Sequence, residues 1–584
     1  MKSLKIVLIS VIILIFLAGC QQSDPVPTAP PVENLPEATA APTNPPATPE
    51  ISEPETYPAQ VVSYNLGDTT IIQDHFPEDS RFYNMPVRLE GVIGVPESDE
   101  AHPVVLILHG SHTLCDSEDV WPCAEDVEQK NYEGFTYLVE ALAEAGYVAL
   151  AINVNAEHTF AYGEAPPSIR TKQLIDLHLG ELAAANAGDS DKFGVDVNGS
   201  ADLSNMVWIG HSRGGDFANW IIRDQQLDQT SHEQGYGPIQ GMMLLAPAIF
   251  TTDALPAVDL PTTLILPTCD ADVQNQGGQS LYESARFDPE RTELFTSVYL
   301  ENGNHNNFNT VLDPDPLIEN RPDCAEEMVL AAADQQDFVV QYAVDFLQTV
   351  YGENGAIDAK LGLDPTQSPP TDLYNFPAQI TTLYPSANRL TVIQPQSDTE
   401  LSQNLLGGAV TATDVTTLFC DEGYYVPDNN PGSEGCKRVN FNQPGFPQQL
   451  VLSWEAMGAE WRTAVPEAYA DLTDYTTIQL RAALDPLSPL NAPDEPQSFT
   501  LEFSDSSGNR EQLLVSPIDF PVGETIPNDY FEGGTFTGQV YMNSFRIPLG
   551  ELTAVDLTNI TEIALIFDQT PSGTLFLADL ELIK

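Results

Sequence analysis

Apolar and polar positions alternate differently in successive stretches of the chain. Residues 59–355 alternate short apolar runs with segments of helical period. Val104-Val105-Leu106-Ile107-Leu108 is apolar at every position, as expected of a strand buried on both faces. Phe135, Leu138, Val139 and Leu142 then recur at helical spacing, Gly146 stops that helix, and residues 147–152 form the next apolar run. A long helical pattern covers 169–185. Further strands are predicted at 206–209, 242–245, 263–266 and 297–300. A closing helix over 338–350 carries Phe338, Val339, Tyr342, Ala343 and Phe346 on one face. Strand–helix alternation of this length predicts an α/β fold, a mostly parallel sheet with helices on both faces.

Residues 388–584 have another rhythm. Short stretches such as 449–454, 498–503 and 574–582 alternate apolar with polar, and Asp, Gly, Pro and Asn separate them. That pattern predicts an all-β sandwich. A proline-rich stretch, 356–387, is expected to link the two parts. A second one, 21–58, has too few bulky apolar residues to offset the entropy of folding and reads as a disordered tether. The first twenty residues read as an export signal: Lys2 and Lys5, an apolar run over 6–17, then Leu17-Ala18-Gly19-Cys20. That run is shorter than the ~20 residues a membrane-spanning helix needs. The ending resembles a bacterial lipobox, which implies lipidation at Cys20 and an extracytoplasmic protein held to the bacterial cell membrane by its lipid.

The 85 acidic residues against 22 basic ones give a formal charge of −63. Such a surface repels phosphate backbones, so nucleic acid is not an expected partner. Seven cysteines suit an exported chain. With Cys20 lipidated, six remain, and their order along the chain suggests Cys115–Cys123, Cys269–Cys324 and Cys420–Cys436, from fifteen pairings open to six cysteines.

The predicted strand ending at Ile209 runs into Gly210-His211-Ser212-Arg213-Gly214-Gly215, and a helical pattern with Phe217, Trp220, Ile221 and Ile222 follows at once. This is the strand–turn–helix setting of a G-x-S-x-G nucleophile. The small residues two positions to either side let the chain turn sharply, which lifts the Ser212 hydroxyl clear of the sheet. The backbone N–H of Arg213 would then face a developing oxyanion. In such sites an acid and then a histidine follow the serine along the chain. His305, after the strand at 297–300, is the expected base. The acid is expected in Cys269-Asp270-Ala271-Asp272, with Asp272 preferred and Asp270 the alternative. A second oxyanion donor is expected from the backbone of Ser111 or His112, after Gly110. His109 and His112 have no third ligand nearby, so neither a metal site nor a cofactor is expected.

Together, His109-Gly110-x-His112, Trp121-Pro122-Cys123, the elbow at 210–215, Cys269-Asp270-x-Asp272-Val273 and His305-Asn306-x-Phe308-Asn309 resemble secreted bacterial α/β-hydrolases. They are similar to the dienelactone-hydrolase and cutinase-like serine esterases. The resemblance covers about residues 85–350. It implies the α/β-hydrolase fold and hydrolysis of a small or polymeric carboxylic ester through Ser212, Asp272 and His305. Arg213 stands where polyester hydrolases usually carry another residue, which weakens the case for a polymer. The stretch 561–568, with Asp579 beyond it, resembles jelly-roll carbohydrate-binding modules. A catalytically inactive surface lipoprotein that binds carbohydrate, and an acyltransferase using the same triad, are the competing expectations.

Overall fold

A strand covered on both faces must be apolar at successive positions, and the central strands of the first sheet meet that condition. The computed structural model describes residues 56–584, except 116–119, 125, 167, 229–234, 250–257, 274–275, 314, 316–323, 325–326, 353–354, 421–447, 486–487, 493–496 and 519–541. The export signal, Cys20 and most of the tether therefore lie outside the described residues, as does Cys436.

The first sheet is built from β1 (Ala59–Ile72), β2 (Asn84–Pro96), β3 (His102–Leu108), β4 (Val148–Ile152), β5 (Ala201–His211), β6 (Ile239–Leu245), β7 (Thr262–Cys269), β8 (Phe295–Asn304), β9 (Asp372–Leu373) and β10 (Phe376–Leu383). Their spatial order is β1-β2-β4-β3-β5-β6-β7-β8-β10-β9. Val104, Leu106 and Leu108 of β3 enter one apolar core, while Val105 and Ile107 enter another. In β5, Met206 and Trp208 divide in the same way from Val207 and Ile209, as the two-residue period of a strand requires. The helices are α1 (Thr136–Glu144), α2 (Asn155–His158), α3 (Ile169–Asn186), α4 (Arg213–Asp228), α5 (Gln279–Arg286), α6 (Ala332–Tyr351) and α7 (Gly355–Lys360). Leu174, Ile221 and Leu281 of α3, α4 and α5 close the first core, and Leu138 and Phe338 of α1 and α6 close the second.

The expected fold class needs correction. Of the described residues only 23% are helical and 38% lie in strands, so a helix-rich α/β-hydrolase with a mostly parallel sheet does not describe them. The first sheet is mixed. The pairs β3–β4, β3–β5, β5–β6, β6–β7 and β7–β8 are parallel, but β1–β2, β2–β4, β8–β10 and β10–β9 are antiparallel. The physical reason lies at the edges. The strand–helix alternation reports only the crossover-connected middle of the sheet. A long two-stranded ribbon adds one edge without a helix. The other edge comes from the proline-rich stretch expected as linker, where Ala378 to Leu383 pair with Leu300 to Phe295. Pro377 lies at the start of β10, before the first β8 partner at Ala378, where a missing N–H is tolerated.

Beyond it, β11 (Arg389–Ile393), β12 (Val410–Thr413), β13 (Val415–Cys420), β14 (Gln449–Trp454), β15 (Ala459–Ala464), β16 (Thr477–Leu484), β17 (Gln497–Asp505), β18 (Arg510–Ile518), β19 (Asn543–Pro548), β20 (Ile560–Phe567) and β21 (Gly573–Ile583) form two antiparallel sheets. Leu452, Trp461, Leu480, Phe503, Leu565 and Leu577 from both sheets share one core. Buried ion pairs join this half to α5. Arg481 Nη2 donates to Glu283 Oε1 and Oε2 at 2.9 and 2.7 Å, and Arg286 Nη1 donates to Asp579 Oδ1 at 2.6 Å. Trp454 stacks on Phe567 inside the core.

Candidate active site

Ser212, Asp270, His305 and Gly110 all follow the carboxyl ends of parallel strands (β5, β7, β8 and β3), the end of such a sheet where loops converge on a ligand. Ser212 joins β5 to α4 with φ at +53°, a left-handed conformation that costs a non-glycine residue energy. Its N–H donates to Leu245 O at 2.9 Å, and its carbonyl accepts from Gly215 and Ala248 at 3.0 and 3.1 Å. These bonds hold the turn. A Cβ at Gly210 would come within 2.5 Å of Gly215 Cα, and one at Gly214 within 2.5 Å of the Leu108 and His109 carbonyls. The two flanking glycines therefore let the elbow sit tight against β3.

The expectation preferred Asp272 as the acid over Asp270, and the geometry reverses that order. His305 Nδ1 donates to Asp270 Oδ2 at 2.9 Å. Asp270 Oδ1 accepts from the backbone N–H groups of Asp272 and Val273 at 3.0 and 2.6 Å, so the buried carboxylate is fixed from both oxygens. Asp272 is half-exposed, and its Oδ2 lies 3.4 Å from His305 Nε2, on the other side of the ring. The physical reason is the sharpness of the loop. It turns immediately after β7, so the first residue beyond the strand faces the imidazole and the third faces solvent. The Cys269–Cys324 disulfide anchors this turn, and Cys115–Cys123 closes the loop after β3. Cys420 is also disulfide-bonded.

The elbow and the His305 loop are direct neighbours. His211 Nε2 donates to His305 O at 3.1 Å, and the two rings lie 4.9 Å apart. His211 is fully buried among Phe135, Phe308 and His112, so it is a packing residue. His305 Nε2 is buried and has no hydrogen-bond partner among the described residues. Burial pushes the His305 pKa down, but Asp270, then Asp272 and Asp315, outweigh it and hold the ring above the ordinary imidazole value. Burial raises the Asp272 carboxyl, with His305 opposing and Asp270 adding to the rise.

The loop after β3 passes against the nucleophile. A Cβ at Gly110 would lie 2.5 Å from Ser212 Cβ and 3.1 Å from its Oγ. Gly110 therefore abuts the serine, with Ser111 and His112 next along the chain, and Arg213 opens α4 directly after it. The Arg213 side chain turns away to Asp216, at 2.6 Å, and lies over the Phe217 ring. His109 is structural: its Nδ1–H donates to Gly110 O at 2.8 Å and its Nε2 accepts from Val154 N–H at 3.0 Å. Burial pushes it down to about 4. Among the described residues no group of three or more His, Cys, Asp or Glu could hold a metal ion.

A cleft of about 500 Å³ opens between the loops after β3, β7 and β8, lined by His112, Thr113, Gln129, Asn131, Asp272, Asn306, Val311, Leu312, Asp313 and Asp315; Ser212 and His305 are not among its lining residues. Sequence reasoning missed its polar frame. Asn131 Nδ2 donates to Thr113 O and Asn155 Oδ1, and Asn309 Nδ2 donates to Asn131 O. Glu128 receives Asn153, Asn155 and Arg88. The buried His158 of α2, packed against His109 and Phe217, was missed too. Loop amides carry no periodicity, so the pattern of the chain offered no signal for them. Among the described residues no helix is long and apolar enough to cross a membrane. No family model and no curated protein matches the chain.

Proposed function

We propose that this protein is a serine hydrolase of carboxylic esters, with Ser212 as nucleophile, His305 as general base and acid, and Asp270 as the orienting acid. The observation that carries this reading is the bond from His305 Nδ1 to a fully buried Asp270, in a loop whose His305 carbonyl is held by His211, the residue before a serine at φ +53°. His305 Nε2 takes the proton from Ser212 Oγ as Oγ attacks the ester carbonyl. The imidazolium then protonates the departing alcohol. Water, activated by the same ring, releases the acid from the acyl-enzyme. Asp270 fixes the tautomer and stabilises the cation. The backbone N–H groups of Arg213 and of Ser111 or His112 receive the oxyanion.

The cleft favours a small polar ester over a long acyl chain. Carboxylates and carboxamides make up most of its lining, and Val311 and Leu312 are its aliphatic members. The proposed setting is extracytoplasmic, on a lipid carried by Cys20. A series of p-nitrophenyl esters of increasing acyl length tests the reading. Hydrolysis should be fastest for the shortest acyl groups and absent in Ser212→Ala. Equal rates in the variant would remove Ser212 from the chemistry.

A further inference from the structure

Several buried imidazoles leave a ring nitrogen unpaired, among them His102, His158, His178 and His211. His112 differs from these because it also lines the cleft. Its Nε2 is buried without a hydrogen-bond partner among the described residues. A buried polar atom of this kind calls for a reason. One point, the position of an absent Cβ on Gly110, lies 2.9 Å from His112 Nε2 and 3.1 Å from Ser212 Oγ. Gly110 thus clears the space between the nucleophile and this nitrogen. The His112 ring is held in place by stacking on His211, with centroids 5.4 Å apart and planes 25° apart.

We propose that the His112 side chain is itself a catalytic residue, whose neutral Nε2–H donates a hydrogen bond to the ester carbonyl oxygen and to the oxyanion it becomes. This rests on Ser212 acting as the nucleophile. In the step, the Ser212 Oγ–C bond forms and the carbonyl π pair moves onto oxygen. The Oγ proton passes to His305 Nε2. His112 keeps its proton and stabilises the new negative charge. Burial, reinforced by His305 and His109, pushes the His112 pKa down to about 3. The ring therefore stays neutral, does not compete for the serine proton, and presents a donor. Two imidazoles whose surroundings drive them apart in this way divide the labour of base and electrophile.

The test compares His112→Phe, which keeps a stacking ring but has no N–H, with His112→Gln, whose side-chain amide restores a donor at similar reach. On the best p-nitrophenyl ester, His112→Phe should lose roughly 100-fold in kcat, as expected for one oxyanion donor. KM should stay within about threefold, because the lost interaction belongs mainly to the transition state. Inhibition by a trifluoromethyl ketone, which forms a tetrahedral adduct with the serine, should weaken in proportion to kcat. His112→Gln should recover about a tenth or more of the wild-type rate. A kcat in His112→Phe within threefold of wild type overturns the proposal. So does ketone inhibition unchanged in that variant, or a His112→Gln enzyme no faster than His112→Phe. A fluorophosphonate that fails to label Ser212 in the wild-type protein would instead remove the underlying hydrolase reading.

Discussion

The loop after β8 and the loop after β3 each set an imidazole against His211, the residue before Ser212, yet they hold the two rings in opposite states. His305 has Asp270 on Nδ1 and Asp272 near Nε2, and its pKa is raised. His112 has burial and other imidazoles around it, and its pKa falls to about 3. Burial pushes both rings toward the neutral form. What separates them is the partner, because a buried charge is tolerated only beside an opposite one. One fold region thereby makes a base and the other a neutral donor.

The strongest way to break this comparison is to remove the charged side. His305→Ala should lower kcat by about 10⁴-fold or more, since the proposed base is gone. Asp270→Asn should lower it by about 10³- to 10⁴-fold with little change in KM, because the amide cannot stabilise the imidazolium. Steady-state rates on a p-nitrophenyl ester check both.

The same rule applies far from the site. Glu283 and Arg481 are buried together where α5 meets the antiparallel half. Glu283→Gln leaves the Arg481 guanidinium short of countercharge and should cost about 3 kcal/mol or more of stability. Urea unfolding checks this, and an unchanged midpoint would show that the pairing rule does not extend there.

The smallest effect sharpens the comparison most finely. Asp272 adds negative charge beside His305, so Asp272→Asn should lower the pKa of the ring. His305 acts as a base only when neutral. A lower pKa leaves it neutral at lower pH, so the acidic limb of the pH–rate profile should move to lower pH. The plateau rate should change by less than about threefold. A limb that moves upward, or a plateau that collapses, would return Asp272 to the role of orienting acid.

Some of this was readable from the chain and some was not. The elbow was legible because turn, glycines and flanking periodicity are local, and Gly210 and Gly214 meet backbone where bulk would collide. His305 was legible through its order along the chain. The choice between Asp270 and Asp272 was not, because two residues of loop separate inward from outward and no periodicity reports which way a loop turns. The mixed character of the first sheet was hidden for a related reason. The partners of β10 are set by long-range pairing, and its proline-rich surroundings read locally as a linker. His112 stood in the motif as a backbone donor. The vacant space at Gly110, which gives its side chain a purpose, exists only once β3 and β5 lie side by side.

The most direct test is intact-mass and peptide mass spectrometry after a brief fluorophosphonate exposure of wild-type, His305→Ala and Ser212→Ala proteins. The account predicts one adduct per wild-type chain, located on Ser212, with almost none in either variant. An unmodified wild-type chain, or an adduct on Ser212 that forms as fast without the His305 imidazole, would contradict it.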